Sequence, residues 1–373
     1  MVSENNFNRE KKRLKINFIV SDNRMTGGMQ MIVKHAEALT EKGHSVFIYT
    51  STIPPILEKY GLSFYALYRL FRTTFRRLIE KLNKKTYFKS NNIINIPIIH
   101  NNFVRNADAI FATAWPTAYC VNRLDASKGK KFYFIQGYEK WDIKRFPKSL
   151  QRLEYSYKLP LIKMCVSKSL VELLRYKFDV ESKFVWNWID EDLYYNVEKD
   201  YNNKIKLLLV GDKGQYKGSH IAIKAYKILA DKFPTVKMSI FSRQRLENLP
   251  QKCEFFYNPP RNKIVELYKQ CHILISPSFL EGFGLPVLEG MASKCAVITT
   301  PVGVAHDIGI DGENLLFFEP GNFKELSQII IMLLENRQLL KKIAGRGYVE
   351  AKRFKKSTLS SEFEQIIIES VRK

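Results

Sequence analysis

The chain has 373 residues, of which 45% are hydrophobic and 26% are charged, and its formal net charge is +23. This length accommodates two domains with full cores, and the composition is that of a folded enzyme rather than a disordered chain. No apolar run reaches the roughly 18 residues that a membrane span requires. Intrinsically disordered and transmembrane proteins are therefore excluded.

The cysteines and histidines indicate neither a disulfide framework nor a zinc site. Cys120, Cys165, Cys253, Cys271 and Cys295 are odd in number, lie far apart and form no Cys-x-x-Cys motif. Such cysteines are typical of reduced core residues in a cytosolic protein. The polar, basic N-terminal segment is followed by too few apolar residues for a secretory signal peptide. We therefore expect a cytoplasmic protein.

The positive charge is concentrated in the first half of the chain. Residues 1–189 carry 33 Lys/Arg against 15 Asp/Glu, a net charge of +18, whereas residues 190–373 carry 27 against 22, a net charge of +5. A surface with such an excess attracts anionic partners. The first half is therefore expected to face an anionic lipid surface, a phosphorylated acceptor or nucleic acid.

The first predicted elements are a strand, a Gly-Gly loop and a helix. Residues 14–20 are apolar enough for a buried strand, Gly27 and Gly28 follow, and residues 29–39 have helical spacing. A helix N-terminus behind such glycines tolerates a phosphate, because it presents unpaired N–H groups and a partial positive charge. A tight turn is the simpler explanation for the glycine pair.

A different pattern follows at Phe64–Leu82. Its apolar positions recur at alternating steps of four and three, and basic residues lie between them. The apolar set is Phe64, Tyr68, Phe71, Phe75, Leu78 and Leu82, and the basic set is Arg69, Arg72, Arg76, Arg77 and Lys81. This spacing predicts an amphipathic helix. The pattern fits an interfacial helix on an anionic membrane, and equally a core helix with a basic solvated face.

Alternating strands and helices then predict parallel sheets. Further strands are expected at residues 45–50, 109–113, 131–136, 161–166, 204–210, 236–241, 273–276 and 296–300. Helices are expected at 167–178, where Ser167 or Ser169 could act as the cap, at 261–270, and in the tail from residue 322. Strands separated by helices form a parallel, doubly wound sheet, so the fold class is α/β. The polar segment 197–203 is the expected linker between two domains.

Residues 281–289 read Glu-Gly-Phe-Gly-Leu-Pro-Val-Leu-Glu and connect a buried strand to a helix. Pro286 is tolerated in the first helical turn, where a backbone N–H has no partner. The glycines let a ligand approach the backbone, and the helix N-terminus behind them suits a phosphate. Glu281 then lies in the loop, and Glu289 lies within the first two helical turns.

This stretch resembles the donor-site signature of the retaining glycosyltransferases of family 4, which have the GT-B fold. In that family the first glutamate faces the donor sugar and the second binds the nucleotide ribose. Glu281 and Glu289 match these two positions. Other donor-binding residues that the resemblance implies are Gly27, Gly28, Lys213, Arg243, Gly282, Phe283, Gly284 and Leu285.

The loop at residues 211–218 supports the resemblance in part. Lys217 and Gly218 match the family's Lys-Gly pair, and Lys217 would neutralise the departing diphosphate. Where the family has an arginine, this chain has Asp212, which would repel a diphosphate unless Lys213 or Arg243 supplies the positive charge. The loop is not a Walker A motif, because Tyr216 stands where a glycine should precede the lysine.

Residues 132–139 are similar to a segment of family members that build rhamnose-containing surface polysaccharides. The resemblance implies that Gln136, Tyr138 and Glu139, at the end of a predicted strand, face the cleft and bind the acceptor. A strand end with solvated polar residues explains each of them equally well.

The resemblance implies two doubly wound Rossmann-like domains that face each other across a cleft. The expected boundaries are an acceptor-binding domain at residues 1–189, a nucleotide-sugar-binding domain at 190–352, and a C-terminal helix at 353–373. This last helix is expected to cross back onto the first domain.

The implied activity is transfer of a hexosyl group from a nucleotide-diphosphate sugar to a lipid-linked or polysaccharide acceptor. Transfer would retain the anomeric configuration without a metal, in cell-surface polysaccharide synthesis at the inner face of the membrane. Glu281 and Lys217 are the expected catalytic residues, the nucleotide-sugar is a substrate, and neither a cofactor nor a nucleic acid is expected. The alternatives are an inactive GT-B scaffold that binds lipid or nucleic acid, and a sugar epimerase or phosphorylase of the same fold.

Overall fold

The computed structural model describes residues 13–21, 27–55, 64–82, 92–139, 147–195, 197–202 and 204–373. The strands are β1 Lys15–Ile19, β2 Ser45–Ser51, β3 Ile93–Ile96, β4 Ala109–Ala112, β5 Lys130–Ile135, β6 Ile162–Cys165, β7 Lys183–Phe184, β8 Lys206–Val210, β9 Lys237–Ser242, β10 Cys253–Tyr257, β11 Ile273–Ser276, β12 Ala296–Thr299 and β13 Leu316–Phe317. The helices are α1 Gly27–Glu41, α2 Phe64–Leu82, α3 Trp115–Arg123, α4 Pro147–Ser156, α5 Lys168–Phe178, α6 Glu191–Tyr194, α7 Ser219–Lys232, α8 Arg261–Gln270, α9 Leu285–Ala292, α10 Val304–Ile308, α11 Phe323–Glu335, α12 Arg337–Ala351 and α13 Lys356–Arg372.

Two parallel sheets organise these elements. One contains seven strands in the order β3-β2-β1-β4-β5-β6-β7, and the other contains six in the order β10-β9-β8-β11-β12-β13. In the second sheet the strand order reverses between β8 and β11. Open parallel sheets bind ligands beyond the carboxyl ends of the strands at such a reversal. The α/β class and the doubly wound, Rossmann-like sheets are confirmed.

Most of the predicted elements are confirmed to within about two residues. Ser167 is the cap of α5, because its hydroxyl accepts a hydrogen bond from the Leu170 N–H at 3.3 Å. The strands that sequence reasoning missed are β3, β7, β10 and β13, which are short or lie away from the centre of a sheet. All four are the outermost strands of their sheets.

By its internal contacts, the chain divides into two compact units. Unit 1 takes the residues up to 134, then 143–163 and 363–373, and unit 2 takes residues 135–142 and 164–362. The boundaries predicted at residues 189 and 352 remain predictions.

The core of unit 1 is built around stacked phenylalanine rings. Phe111 stacks between Phe18 and Phe132, with ring centroids 4.8 and 4.6 Å away. Phe363, from the C-terminal helix α13, packs on Phe111 and Phe134 with centroids at 5.8 and 5.3 Å. The end of the chain thus completes a core that begins at its first strand.

The expected linker is a packed part of unit 2 at its described positions, residues 197–202. Val197 and Tyr201 are buried, and the Tyr201 hydroxyl donates to the Lys294 carbonyl at 2.7 Å. Lys199 Nζ donates to the Tyr268 carbonyl at 3.0 Å. The linker prediction is wrong here, because two buried apolar side chains among polar neighbours are enough to anchor the segment.

Helix α2 has the predicted bounds, but its apolar stripe faces away from the protein. Phe64, Tyr68, Phe71 and Phe75 are 95%, 58%, 72% and 55% exposed, which contradicts the core-helix interpretation. The other exposed apolar residues of α2 are Leu67 and Ile79, and the side chains of Leu78, Lys81 and Leu82 lie outside the described part.

The basic residues of α2 divide between the two sides of the helix. Arg72 and Arg76 are exposed, whereas Arg77 is buried and donates to the carbonyls of Ser21, at 2.9 Å, and Ser51. Arg77 therefore anchors α2 at the carboxyl ends of β1 and β2, and it does not belong to the basic face on which the sequence placed it.

A buried polar cluster attaches helix α13 within unit 1. His44 Nδ1 accepts from the Leu14 N–H at 3.1 Å, so the neutral ring carries its proton on Nε2, which lies 3.1 Å from Glu364 Oε1. Lys42 Nζ lies 3.2 Å from the other oxygen of Glu364. Both side chains of the His44–Glu364 pair are almost inaccessible to water, so each depends on the other for its hydrogen bond.

We expect Glu364→Ala to lower the melting temperature, because it removes the partner of a buried imidazole and of Lys42. The loss should correspond to about 1–3 kcal/mol of unfolding free energy. Thermal unfolding followed by circular dichroism measures it. Glu362→Ala, an exposed glutamate on the same helix, is the matched control. Equal melting temperatures for the two variants would contradict the assignment.

Candidate active site

Lys217 and Glu281 meet at the point where the strand order of the second sheet reverses. Lys217 ends a short turn after β8, and Glu281 lies in the loop after the neighbouring strand β11. Lys217 Nζ lies 2.6 and 2.8 Å from the two carboxylate oxygens of Glu281. The hydroxyl of Ser278 donates to Glu281 Oε1 at 2.7 Å. The carboxylate, whose side chain is 11% exposed, is thus held by a bidentate ion pair and a hydroxyl.

Three glycines allow the loops around this ion pair to approach closely. A Cβ on Gly218, which has φ +65°, would lie 1.9 Å from the Pro277 carbonyl oxygen, and one on Gly303 would lie 2.5 Å from that of Phe283. A Cβ on Gly282 would lie 1.8 Å from the carbonyl oxygen of Gln136. Gly282 therefore makes room for protein backbone, whereas the sequence suggested that it makes room for a ligand.

Helix α9 begins directly after this loop. Gly284 is its N-cap, with φ +89°, a conformation that favours glycine, and Pro286 lies in the first turn as expected. Phe283 is buried, and its carbonyl accepts from the Val304 N–H at 2.6 Å. The N-terminus of an eight-residue helix, with its partial positive charge, thus lies beside Glu281.

Asp212 does not direct its charge at the expected diphosphate position. Its carboxylate accepts from the Gly214 N–H at 2.7 Å, while its own N–H donates to the Ser219 hydroxyl at 2.8 Å. Asp212 is therefore used to shape its own loop. Of the two cations considered as replacements, Lys213 forms an exposed ion pair with Glu247 at 3.1 Å.

Arg243 is the other candidate cation, and it follows directly after β9. Within the described residues, no carboxylate forms an ion pair with it. Partial burial and then the Arg261 guanidinium lower the pKa of Arg243. Arg243 is therefore the candidate cation whose charge no ion pair among the described residues offsets.

Glu289 lies deeper, in a polar cluster that is mostly enclosed by aromatic rings. Its Oε1 accepts from the Tyr194 hydroxyl at 2.7 Å and lies 3.2 Å from Arg261 Nη1. Arg261 also pairs with Asp190 at 3.5 Å. Tyr268 is fully buried beside this cluster. Burial and then Glu289 raise the pKa of Tyr268 well above its usual value.

The predicted acceptor residues lie directly after β5. The Gln136 side-chain oxygen accepts from Asn187 Nδ2 at 3.3 Å. Tyr138 is buried, and its hydroxyl lies 3.0 Å from Lys177 Nζ, whereas Gln136 and Glu139 are partly exposed. Gln136 contacts the Glu281 loop through its carbonyl, which lies beside Gly282.

Gly27 and Gly28 are the first two residues of helix α1 in unit 1. The loop that precedes them, residues 22–26, lies outside the described part of the chain. Their predicted role as donor-site residues remains a prediction.

Sequence reasoning did not find three side chains of this site. Ser278 is too common a loop residue to stand out, Tyr194 reads as an ordinary core aromatic, and Arg261 reads as an ordinary first residue of a helix. The one available signal was the Pro-Pro dipeptide before Arg261, which fixes where helix α8 begins.

Residues 191–349 match the family model described as glycosyl transferases group 1. These residues are similar to that family over less than half of the chain. The matched region contains Lys217, Glu281 and Glu289, together with Tyr194 and Arg261, whereas Asp190 and the residues around Gln136 lie before it.

The sequence relatives of the chain are mostly bacterial and archaeal glycosyltransferases. An uncharacterized glycosyltransferase of Methanocaldococcus jannaschii is 31% identical over 51% of this chain and 54% of its own length. The capsular polysaccharide biosynthesis glycosyltransferase CapM of Staphylococcus aureus is 28% identical over 40% of this chain and 43% of its own length. The O-antigen chain mannosyltransferase RfbU of Salmonella typhimurium is 25% identical over 48% and 55%. The chain thus spans about half the length of the curated relatives it matches.

Solved structures match the fold over nearly the whole chain. Sucrose-phosphate synthase from Thermosynechococcus elongatus has a TM-score of 0.71 at 15% identity, covering 96% of this chain and 99% of that protein. Anabaena HepE, solved in complex with UDP and glucose, has a TM-score of 0.69 at 15% identity, covering 96% and 100%. At this identity the likeness concerns the fold alone, and that fold is GT-B.

We expect Gly282→Ala to disrupt the Glu281 loop, because the added Cβ would collide with the backbone carbonyl of Gln136. Steric strain of about 1–3 kcal/mol would lower the unfolding free energy by that amount, so the variant should melt at least several degrees lower than the wild type. Gly345→Ala is the matched control, since its Cβ would meet open space in the middle of helix α12. That substitution should be neutral or stabilising by up to about 1 kcal/mol. The reverse order of melting temperatures would contradict the close approach.

Proposed function

We propose that this protein is a glycosyltransferase that moves a sugar from a nucleotide-diphosphate donor to a saccharide or lipid-linked acceptor in cell-surface polysaccharide synthesis. The observation that carries the proposal is the Lys217–Glu281 pair at the strand-order reversal of a group 1 glycosyl transferase region, with Glu289 deeper in the same unit. The names of relatives that act on capsular polysaccharide and O-antigen support the pathway.

The proposed roles follow from charge. As the bond between the anomeric carbon and the diphosphate oxygen breaks, the leaving diphosphate takes the electron pair and gains negative charge. Lys217 and the N-terminus of α9 stabilise that charge, because both are positive and already in place. Glu281 orients the sugar. From the family 4 resemblance we infer that transfer retains the anomeric configuration and needs no metal.

The phosphate group of the donor must compete with Glu281 for Lys217. In the structure the two side chains neutralise each other, so binding of a diphosphate rearranges this ion pair. We assign the second cation to Arg243, because it has no acidic partner among the described residues, whereas Lys213 is paired with Glu247. Asp212 does not oppose this arrangement, because its carboxylate is turned into its own loop.

The alternative of an inactive scaffold rested on Asp212 and on the basic first half of the chain. The loop geometry of Asp212 and the intact Lys217–Glu281 pair favour the enzyme. The acceptor roles of Gln136, Tyr138 and Glu139, and a rhamnose-type polysaccharide as the product, are carried forward as part of the proposal.

We expect Glu281→Gln to lower the rate of transfer by about 100-fold or more, because the glutamine cannot supply the charge that orients the sugar. Affinity for the nucleoside diphosphate should be kept or increased, since Lys217 is released from its partner. Thermal stabilisation by a panel of UDP, GDP, ADP and dTDP identifies the nucleotide. Calorimetry with that nucleotide, and transfer assays with its sugars, then compare the variant with the wild type.

Glu335→Gln is the matched control, because it removes a carboxylate from an exposed ion pair with Lys232 elsewhere in the same unit. Wild-type turnover in Glu281→Gln would remove Glu281 from the mechanism. Absence of stabilisation of the wild type by any nucleotide or nucleotide-sugar would overturn the proposed function itself.

We further propose that unit 1 docks on an anionic membrane surface through helix α2. Its exposed aromatic stripe is flanked by the exposed Arg72 and Arg76, and this combination suits the interface between anionic headgroups and acyl chains. Phe71 and Phe75 lie stacked, with ring centroids 6.1 Å apart. Within the described part of the chain, no helix is both long and apolar enough to cross a membrane.

We expect Arg72→Glu/Arg76→Glu to weaken binding to phosphatidylglycerol-containing vesicles by roughly 30-fold, at about 1 kcal/mol per cation removed. Phe71→Ser/Phe75→Ser should weaken binding at high salt as well, because it removes apolar contact. Arg77 stays unchanged, since it anchors the helix. Co-sedimentation at two salt concentrations measures the effect, and Lys341→Glu/Lys342→Glu on helix α12 is the matched control. Equal vesicle binding by the wild type and all variants would rule out this docking surface. Equal binding of the wild type to neutral and to anionic vesicles would rule it out as well.

A further inference from the structure

We propose that Tyr194 and Arg261 are positioning residues that set the affinity for the donor's ribose by holding Glu289 in one orientation. The inference rests on the proposed function, because Glu289 has a ribose to bind only if the donor is a nucleotide-sugar. Neither Tyr194 nor Arg261 is marked by a motif, and only the three-dimensional arrangement brings them to Glu289.

The first step is the geometry of the carboxylate. The Tyr194 hydroxyl, at 2.7 Å, and Arg261 Nη1, at 3.2 Å, both contact the same atom, Glu289 Oε1. Two contacts to one oxygen fix the plane of the carboxylate. They thereby fix the direction in which the second oxygen, Oε2, is presented.

The second step is that both partners are themselves held in place. Tyr194 ends helix α6, is fully buried, and packs edge-on against Tyr268 with ring centroids 5.5 Å apart. Arg261 begins helix α8, pairs with Asp190 at 3.5 Å, and lies over the Tyr194 ring at 5.2 Å. Glu289 is therefore supported by two groups that have little freedom of their own.

The third step is the charge state of the cluster. Burial and then Glu289 raise the pKa of Tyr194 far above its usual value, so its hydroxyl remains a hydrogen-bond donor. Burial alone would lower the pKa of Arg261, but Glu289, Tyr194 and Asp190 together raise it. Arg261 therefore stays cationic beside Glu289, and the Tyr194 hydroxyl stays a donor to it.

The proposal predicts how the protein discriminates against a donor without ribose hydroxyls. A carboxylate held in one direction discriminates strongly against a nucleotide that lacks the ribose hydroxyls, because its oxygen is then left without a hydrogen-bond donor. A carboxylate that can turn accepts from water instead, and so it discriminates less. The measure is the ratio of dissociation constants for the 2′,3′-dideoxynucleoside diphosphate and its parent. We expect this ratio to be about 10 to 100 in the wild type.

Tyr194→Phe keeps the ring and removes only the hydroxyl, and we expect it to lower that ratio by about 3- to 10-fold. Arg261→Met should lower it further, and Arg261→Lys should restore part of it, because the ammonium group keeps the charge without the fixed fork. Lys263→Gln is the matched control, since Lys263 lies on the same helix and pairs with the exposed Glu266. Calorimetry uses the ribonucleoside diphosphate that binds best among UDP, GDP and ADP, with its dideoxy counterpart, and melting curves verify folding.

The outcomes separate the two proposals. If no nucleoside diphosphate binds the wild type, the proposed function fails, and this inference fails with it. If the wild type binds and discriminates, and folded Tyr194→Phe and Arg261→Met discriminate equally well, then only this inference is overturned. A lower melting temperature with an unchanged ratio likewise assigns the two residues to stability alone and overturns the inference.

Discussion

The ion pair between Lys217 and Glu281 is the interaction on which the second unit's polar site depends. A carboxylate that is 11% exposed, among backbone loops, is costly unless a cation and hydrogen bonds compensate the lost water. Both partners come from loops after neighbouring parallel strands, β8 and β11, so the sheet brings together groups that are 64 residues apart in the chain. The sheet topology thus brings the two loops together, and the ion pair stabilises them until a diphosphate binds.

Close backbone approach is the second constraint, and it explains why glycine recurs around the site. Gly218, Gly282 and Gly303 each face a carbonyl oxygen at a distance that leaves no room for a Cβ. The loops that carry Lys217 and Glu281 are consequently in direct backbone contact with neighbouring segments. Side chains on such loops are held by neighbouring backbone as well as by their own contacts. Their positions are therefore largely set before a ligand binds.

The central strands and the helices with strong periodicity were readable from the sequence, because burial on both faces imposes continuous apolar runs such as those at Ile273–Ser276. The positions of Glu281, Glu289 and Lys217 in loops and a helix start were readable for the same reason. The supporting residues were not. Tyr194 and Arg261 lie 95 and 28 positions from Glu289, and no local pattern connects them.

The sequence also could not predict which face of helix α2 is buried, since an apolar stripe opposite arginines has the same spacing whether the stripe is buried or exposed. The exposed aromatic rings and the buried Arg77, bonded to two carbonyls, distinguish the two arrangements. A similar limit applied to residues 197–202, where two buried side chains outweigh a polar composition.

The contribution of helix α13 to unit 1 has a consequence for the order in which the protein is made. Residues 363–373 leave the ribosome after every residue of unit 2, yet Phe363 packs on the rings of Phe111 and Phe134, and Glu364 satisfies His44. Unit 2 is made of residues 135–142 and 164–362, so its segments are all synthesised before that stretch appears. During translation, the segments of unit 2 are therefore all available before the last segment of unit 1. Until residues 363–373 emerge, the aromatic surface of unit 1 stays uncovered.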